Sequence, residues 1–256
     1  MKKNELKNKK LTKTGIEYGN SAFNTVIGCR HNCPWSCWAK AVSTTRLKKK
    51  YGGDFSDIQW LPERLDQPLC TKKPQRVLVN FMGDMWGDWV PHEWIDRTLD
   101  MCDAAPQHDY MFLTKNPKRY GDYITHFSNG NCNTYWKKMV PWLGTSVESG
   151  EKRIRLKELM EATDDCNCIR WVSLEPLIGN PEDPLDHMET YLSSMDWVVI
   201  GALTGKGGKQ PEEAWVRWIT GVCQDYGIPY FIKENLDCEK MGIERVQEYP
   251  RERKVA

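Results

Sequence analysis

The sequence predicts a single α/β domain, built as a partial or complete parallel β/α barrel of the TIM type. Short β-branched or aromatic runs alternate with longer segments that have helical spacing and charge. The predicted strands are almost continuously apolar, as expected when both faces of a parallel sheet are covered. No linker rich in Pro, Gly or Ser divides the 256 residues. Seven such strands alternating with about six helices favour a barrel over an open three-layer sheet.

The strands and helices follow one another along most of the chain. Strands are predicted at 23–28, 76–81, 110–114, 142–147, 169–174, 197–202 and 229–233. Helices are predicted to begin near Ser36, His92, Pro117, Glu151, Asp183 and Pro211. Asp183 is a candidate N-cap followed by Pro184, and Pro211 is followed by two glutamates, which suit the positive end of a helix dipole.

Charge is distributed unevenly along the chain. The whole sequence carries a net charge of +1, but residues 1–50 hold 12 Lys and Arg against two acids, a net of +10 that leaves −9 for the rest. We therefore expect a basic polar arm at 1–20, a barrel at 21–236 and a C-terminal tail at 237–256. The lysines of residues 1–13 suit a phosphate backbone, although such a run is usually just a solvated face.

Targeting signals and membrane segments are not predicted. The lysine-rich start has no apolar h-region, and the longest apolar run, 197–203, is too short to cross a bilayer. We expect a cytoplasmic protein with no membrane partner.

Three of the ten cysteines, Cys29, Cys33 and Cys37, fall within nine residues directly after the first predicted strand. Three thiolates on one loop can hold three irons of a [4Fe–4S] cluster and leave the fourth iron open to a small molecule. Zinc, with His31 as a further ligand, is the competing interpretation, although structural zinc favours C-x2-C pairs. Three unligated loop cysteines are the remaining alternative. Cys166 and Cys168 precede a strand and are interpreted as structural.

Polar residues follow most of the predicted strands. In a β/α barrel the carboxyl ends of the strands form the functional rim, so these side chains are expected to converge. Each could instead be a helix cap, and Lys115 and Lys233 could be ion-pair partners of Glu148 or Glu175. The polar residues that follow strands are Asn80, Asp84, Thr114, Lys115, Ser146, Glu148, Ser173, Glu175, Thr204, Lys233 and Glu234.

Residues 205–209, Gly-Lys-Gly-Gly-Lys, follow the sixth predicted strand. They lack the G-x4-GK[ST] spacing of a phosphate-binding loop. We interpret them as a loop at the rim of the sheet, whose amides and lysines could still bind a phosphate.

The first strand followed by a three-cysteine loop resembles the radical S-adenosylmethionine (SAM) superfamily. Its usual loop is C-x3-C-x2-C, whereas the last gap here has three residues. Six ordered blocks are similar to a phage-associated branch of three-cysteine proteins of unknown function, over residues 20–236. Residues 201–205, Gly-Ala-Leu-Thr-Gly, depart from that branch's usual Gly-Gly-Glu-Ser-Gly, which suggests a changed substrate pocket. The six blocks are 79–84, 112–119, 142–148, 172–177, 196–201 and 229–233.

This resemblance implies a [4Fe–4S] cluster on the three cysteines and SAM as the second cofactor. Reductive cleavage of SAM, with an electron from an external donor, would yield a 5′-deoxyadenosyl radical that abstracts a substrate hydrogen. Gly83 and Asp84 would take the SAM amino group and Trp35 the adenine. Ser146 and Glu148 would bind the ribose or the carboxylate end of SAM, and Ser173 would be a further cofactor-binding residue. The residues expected to face the substrate are Lys115, Ser173, Glu175 and Lys233.

The resemblance and the basic arm together favour a nucleic-acid substrate. We expect a modified pyrimidine nucleotide in phage DNA, with isomerisation or rearrangement as the outcome, in the host cytoplasm if the chain is phage-encoded. The alternative is a non-enzymatic, metal-stabilised phage protein that binds nucleic acid.

Overall fold

The computed structural model describes residues 10–124, 138–164, 166–181 and 188–251. Residues 1–9 of the predicted arm and the predicted helix start at Asp183 lie outside the described residues. The strands are β1 (Thr12–Lys13), β2 (Ser21–Phe23), β3 (Val26–Ile27), β4 (Gln59–Trp60), β5 (Arg76–Val79), β6 (Asp109–Thr114), β7 (Trp142–Ser146), β8 (Ile169–Leu174), β9 (Trp197–Ile200) and β10 (Tyr230–Ile232). The helices are α1 (Trp38–Thr44), α2 (Lys48–Tyr51), α3 (Gln67–Cys70), α4 (His92–Ala104), α5 (Gly121–Ile124), α6 (Ile154–Ala162), α7 (Met188–Leu192) and α8 (Glu213–Asp225).

The main sheet has the strand order of a barrel. Its order is β1-β2-β5-β6-β7-β8-β9-β10, and every pair from β2 to β10 is parallel. Because successive strands are neighbours and the order never reverses, the sheet winds in one direction, as in a TIM barrel. β1 pairs antiparallel with β2 at one edge, and β10 lies at the other. The predicted α/β barrel-type fold is confirmed, and among the described strands it is the partial form.

The first predicted strand, 23–28, is wrong in its bounds. The sheet strand is Ser21–Phe23, and Val26–Ile27 pairs instead with Gln59–Trp60 in a separate two-stranded sheet. The side chain of Asn80 explains the break, because its Oδ1 accepts hydrogen bonds from the backbone N–H of Thr25 at 2.7 Å and of Val26 at 2.9 Å. The chain thus leaves the main sheet just before the cysteine loop, residues 29–37.

The other predicted strands overlap those observed, and most of the predicted helices form where expected. The α4 helix begins at His92, and α8 begins two residues after Pro211. The segments near Pro117 and Glu151 open as 3₁₀ turns before α5 and α6. The helix expected near Ser36 is α1, with Cys37 as its N-cap residue.

Aromatic side chains fill the space enclosed by the main sheet. Trp171 and Trp197 are fully buried there, with ring centroids 5.6 Å apart. Tyr18 packs edge-on against both indoles at 5.9 and 5.6 Å. Gly144 leaves room for this packing, because a Cβ at that position would lie 2.3 Å from the Trp171 ring. We call this group the aromatic interior; its members are Tyr18, Leu78, Met111, Trp142, Ile169, Trp171, Trp197, Val199 and Phe231.

A second apolar core lies between the sheet and the helices. The helices contribute their buried faces, such as Leu99 of α4, Leu156 of α6 and Ile219 of α8. This double burial accounts for the continuous apolar character of the strands.

The segment predicted as a C-terminal tail runs beside β10. Ile232 donates its N–H to the carbonyl of Val246 at 2.8 Å, and Glu248 donates its N–H to the carbonyl of Tyr230 at 3.0 Å. These contacts cover the edge of the sheet, which would otherwise expose unpaired backbone groups. None of the helices in the described part of the chain is long and apolar enough to cross a membrane.

Candidate functional site

The cysteine loop begins in close contact with the turn after β5. Gly28, with a φ of 99°, forms a parallel bridge with Gly83, and a Cβ on Gly83 would lie 2.4 Å from the carbonyl oxygen of Gly28. Asp84 donates its N–H to the same carbonyl at 3.3 Å, and Cys29 donates its N–H to the carbonyl of Phe55 at 2.9 Å. The glycines therefore let two rim segments touch through their backbones, which fixes the start of the loop.

The three thiols of the loop line one cavity of about 380 Å³. All three are free and partly exposed. Burial raises the pKa of Cys29 to about 12. Burial also raises the pKa of Cys33, and the positive charges of Lys115 and Arg155 act in the opposite direction. Trp35, Lys40 and Asp54 line the same cavity.

The donor set fits a metal cluster better than a preformed site for one ion. Among the described residues, no three His, Cys, Asp or Glu side chains stand close enough to hold a single metal ion. Zinc binds its thiolates at about 2.3 Å, which requires compact ligands. The three thiols instead line a shared cavity of about 380 Å³. That arrangement suits a larger thiolate-bound group such as an iron–sulfur cluster.

Asp84 is a buried hub that joins three rim segments. His31 of the cysteine loop lies 2.7 Å from its Oδ2, measured from Nε2. The carboxylate also accepts hydrogen bonds from the N–H of Trp86, the N–H of Lys115 and the hydroxyl of Thr114, at 2.8 to 3.0 Å. Burial alone would raise the pKa of Asp84, but these hydrogen bonds and the nearby imidazole outweigh it and lower the pKa.

A second cluster of charges surrounds Glu148, which is 1% exposed. Lys115 contacts its Oε1, and Arg155 of α6 donates to its Oε2 at 2.9 Å. The Lys115 ammonium also lies 5.3 Å from the ring centroid of Trp35 on the cysteine loop. Burial lowers the pKa of Lys115 to about 8, and the Arg155 charge acts in the same direction. Contact with the Glu148 carboxylate favours the charged ammonium.

A separate ion pair lies at the rim, between the ends of β8 and β10. Lys233, just after β10, lies 2.5 Å from Oε1 of Glu175, just after β8. Asn235 donates to the same oxygen at 3.3 Å. The Lys233 ammonium is 6.0 Å from the ring centroid of Tyr18, a member of the aromatic interior.

The structure brings the predicted site residues together in three groups. The first group, Cys29, Cys33, Cys37 and Trp35, lines the cavity. In the second group, Gly83 and Asp84 contact the start of the cysteine loop and His31. The third group consists of the ion pairs Lys115–Glu148 and Lys233–Glu175, which the sequence offers as an alternative to a role at the substrate. Ser146 and Ser173 are buried and face each other across β7 and β8.

Sequence reasoning missed two contributors to this rim. Arg155 lies on a helix seven residues beyond Glu148, with an irregular turn between them, so no periodic signal connects the two. His31 was considered only as a zinc ligand, whereas its ring lies against Asp84 and 4.9 Å from that of Trp89. Both depend on contacts between distant segments.

The fold and the site define a barrel-type α/β protein with a three-cysteine loop at the carboxyl rim of its sheet. A family model described as "Protein of unknown function (DUF5131)" matches residues 13–255, so the chain belongs to that family. No curated protein matches the chain.

Two solved structures resemble the chain in outline. One is a double mutant of spore photoproduct lyase with bound AdoMet and dinucleoside spore photoproduct; it is 12% identical with a TM-score of 0.49, over 83% of this chain and 63% of that one. The other is spore photoproduct lyase complexed with dinucleoside spore photoproduct, 12% identical with a TM-score of 0.47, over 84% of this chain and 63% of that one. This chain therefore spans 63% of the length of both, and similarity at this level assigns it no function.

Proposed function

We propose that this protein is a radical SAM enzyme that acts on a pyrimidine nucleotide in DNA. The observation that carries the proposal is the placement of Cys29, Cys33 and Cys37 around one cavity, at the carboxyl rim of a parallel sheet in barrel order. The phage association, the modified pyrimidine and the isomerisation or rearrangement rest on the sequence resemblance alone.

In this proposal the three cysteines hold a [4Fe–4S] cluster with one open iron. With SAM bound, the cluster and an external one-electron donor would supply a 5′-deoxyadenosyl radical for hydrogen abstraction. The chain's own residues would bind and orient the cofactor and the substrate, and would exclude water from the site. Trp35 lines the cavity and offers an apolar ring to an adenine.

The charged residues divide into those that hold the rim and those that can meet a ligand. Every oxygen of Asp84 accepts a hydrogen bond within the protein, which supports a role in placing the cysteine loop alongside its proposed role at the SAM amino group. Glu148 holds Lys115 against Trp35, beside the cavity. The side chain of Lys115 is 16% exposed, so its ammonium can face an incoming anionic group. Glu175 and Lys233 are proposed to face the substrate from the far side.

The test is anaerobic reconstitution with iron and sulfide, followed by SAM and dithionite. We expect a brown protein with about four irons per chain that forms 5′-deoxyadenosine. Cys29→Ala, Cys33→Ala and Cys37→Ala should each lose most of the iron and all of the cleavage. Cys166→Ala is the matched control, because Cys166 is a partly exposed cysteine outside the cysteine loop.

Two outcomes would contradict the proposal. A triple cysteine variant that retains about four irons per chain would show that the cluster lies elsewhere. A colourless wild-type protein that retains zinc through anaerobic purification would favour the non-enzymatic, metal-stabilised alternative.

A further inference from the structure

The surface around the cavity has features that, given the proposed function, indicate how a substrate binds. The aromatic interior is packed with large rings, so the chemistry of this rim must reach a substrate that lies over the sheet rather than within it. The cavity beside the cysteine loop opens to the surface of the protein. The exposed Trp38 directly follows Cys37 of the cysteine loop.

Exposed cations lie on two elements that line the cavity and on a third that touches the cysteine loop. Arg30 belongs to the cysteine loop and Lys40 to α1, and both line the cavity. The third element is the rim loop, residues 203–209, which carries Lys206 and Lys209. The rim loop meets the cysteine loop, because a Cβ on Gly205 would lie 3.2 Å from Oγ of Ser36.

The rim loop is a closed hairpin whose two lysines are exposed. Leu203 and Lys209 exchange both backbone hydrogen bonds, at 3.2 and 3.0 Å, and Gly208 donates its N–H to the carbonyl of Gly205 at 3.0 Å. Residues 204–210 are exposed and contain no acid. Among the described residues, none of Arg30, Lys40, Lys206 and Lys209 forms an ion pair.

An exposed aromatic residue, Trp38, lies next to Cys37 in sequence, at the start of α1, which also carries Lys40. Trp38 is 50% exposed, which is unusual for so large an apolar side chain in a chain with two well-packed cores. Exposed cations together with an exposed aromatic ring are the combination that binds single-stranded nucleic acid, through phosphate contacts and base stacking. Residues 51–256 carry a net charge of −9, so the two lysines of the rim loop are a local concentration of positive charge in that part of the chain.

We propose that the rim loop, Arg30, Lys40 and Trp38 form a binding surface for a single-stranded nucleic-acid segment that delivers one base to the cavity. The lysines of the rim loop hold phosphates on one side of the cavity, and Arg30 and Lys40 hold them on the other. Trp38 stacks a base next to the one that enters. A single strand fits because a base inside a duplex is not accessible to a recessed site.

The experiment titrates the anaerobic wild-type protein into a fluorescein-labelled single-stranded oligodeoxynucleotide of about 12 nucleotides, a length within the usual site size. Anisotropy is followed from 50 to 300 mM salt (roughly the range in which counterion release is measured). For K206Q/K209Q we expect binding roughly 10- to 30-fold weaker near 0.1 M salt, and a log–log salt slope shallower by about 1.4. W38A should weaken binding roughly tenfold and leave the salt slope unchanged, since it removes stacking and no charge.

The matched control is K72Q/K73Q, which neutralises two adjacent exposed lysines before β5, at the opposite end of the sheet. It should bind as the wild type does. The surface is overturned if K206Q/K209Q keeps the wild-type affinity and slope, if the control weakens binding equally, or if a mononucleotide competes as well as the oligomer.

Failure of this surface and failure of the proposed function give different results. A wild-type protein that forms 5′-deoxyadenosine but does not bind the oligomer overturns the surface alone. A wild-type protein without iron or SAM cleavage overturns the proposed function, while the titration still reports on the surface.

Discussion

The aromatic interior and the rim of the same sheet are built in opposite ways. The interior is a continuous set of rings and aliphatic side chains, with Trp171 and Trp197 fully buried. The rim buries charges instead, with Glu148 1% exposed and Asp84 4% exposed. Buried ion pairs add little stability compared with apolar side chains of similar volume. The difference indicates that the interior holds the barrel together, while the rim fixes the positions of particular groups.

The largest effect on stability is expected from the interior. Trp171→Ala would leave a cavity among Tyr18, Trp197 and Phe81, and should lower the free energy of unfolding by about 3–5 kcal/mol. Urea unfolding followed by circular dichroism measures this loss. Trp38→Ala makes the same deletion at a side chain that is 50% exposed and should cost far less. Equal losses in the two variants would show that the interior does not carry the stability of the barrel.

The rim should respond to loss of charge balance more than to loss of volume. Glu148→Gln leaves Lys115 and Arg155 without their shared carboxylate, and should destabilise the fold by about 3 kcal/mol. The control is Glu213→Gln, which breaks an exposed pair with Arg217 that is 2.6 Å long, and should cost about 0.3–0.5 kcal/mol. A Glu148→Gln loss as small as the control's would mean that the two buried cations are not compensated by this carboxylate.

These two regions also differ in how far the sequence predicts them. The apolar runs that become β5 to β10 are visible because each strand is buried on both faces, which leaves a local and continuous signal. The break before the cysteine loop depends on Asn80, more than fifty residues away from the backbone that it binds, so no local pattern could place it. The sequence offers the ion pairs of Lys115 and Lys233 as alternatives to a substrate role, because strand ends converge in a barrel. It does not indicate that His31 contacts Asp84.

The Asp84 hub is expected to contribute less than Glu148 and in a pH-dependent way. Asp84→Asn loses hydrogen bonds to a charged acceptor and should lower the free energy of unfolding by about 2 kcal/mol at pH 7. Its pKa is lowered in the folded chain, so this contribution is present above the unfolded value of about 3.9 and is lost as the pH falls through the folded pKa. The urea midpoints of the wild type and of Asp84→Asn should therefore converge as the pH falls below about 4. Asp225→Asn, at an exposed position, should follow the wild type at every pH; a constant gap for Asp84→Asn would rule out the carboxylate's charge as the cause.

The smallest stability effect and the most selective functional one are expected at His31. Its side chain is 19% exposed, and its bond to Asp84 connects the cysteine loop to the rest of the rim. His31→Ala should cost about 1 kcal/mol or less. It should nevertheless lower the iron retained under a chelator several-fold, because the loop loses its side-chain tether while its backbone anchor at Gly28 remains. His31→Gln can still donate to the carboxylate and should recover part of the retained iron. If the glutamine variant retains no more metal than the alanine variant, and the metal is zinc, His31 acts as a ligand and not as a tether.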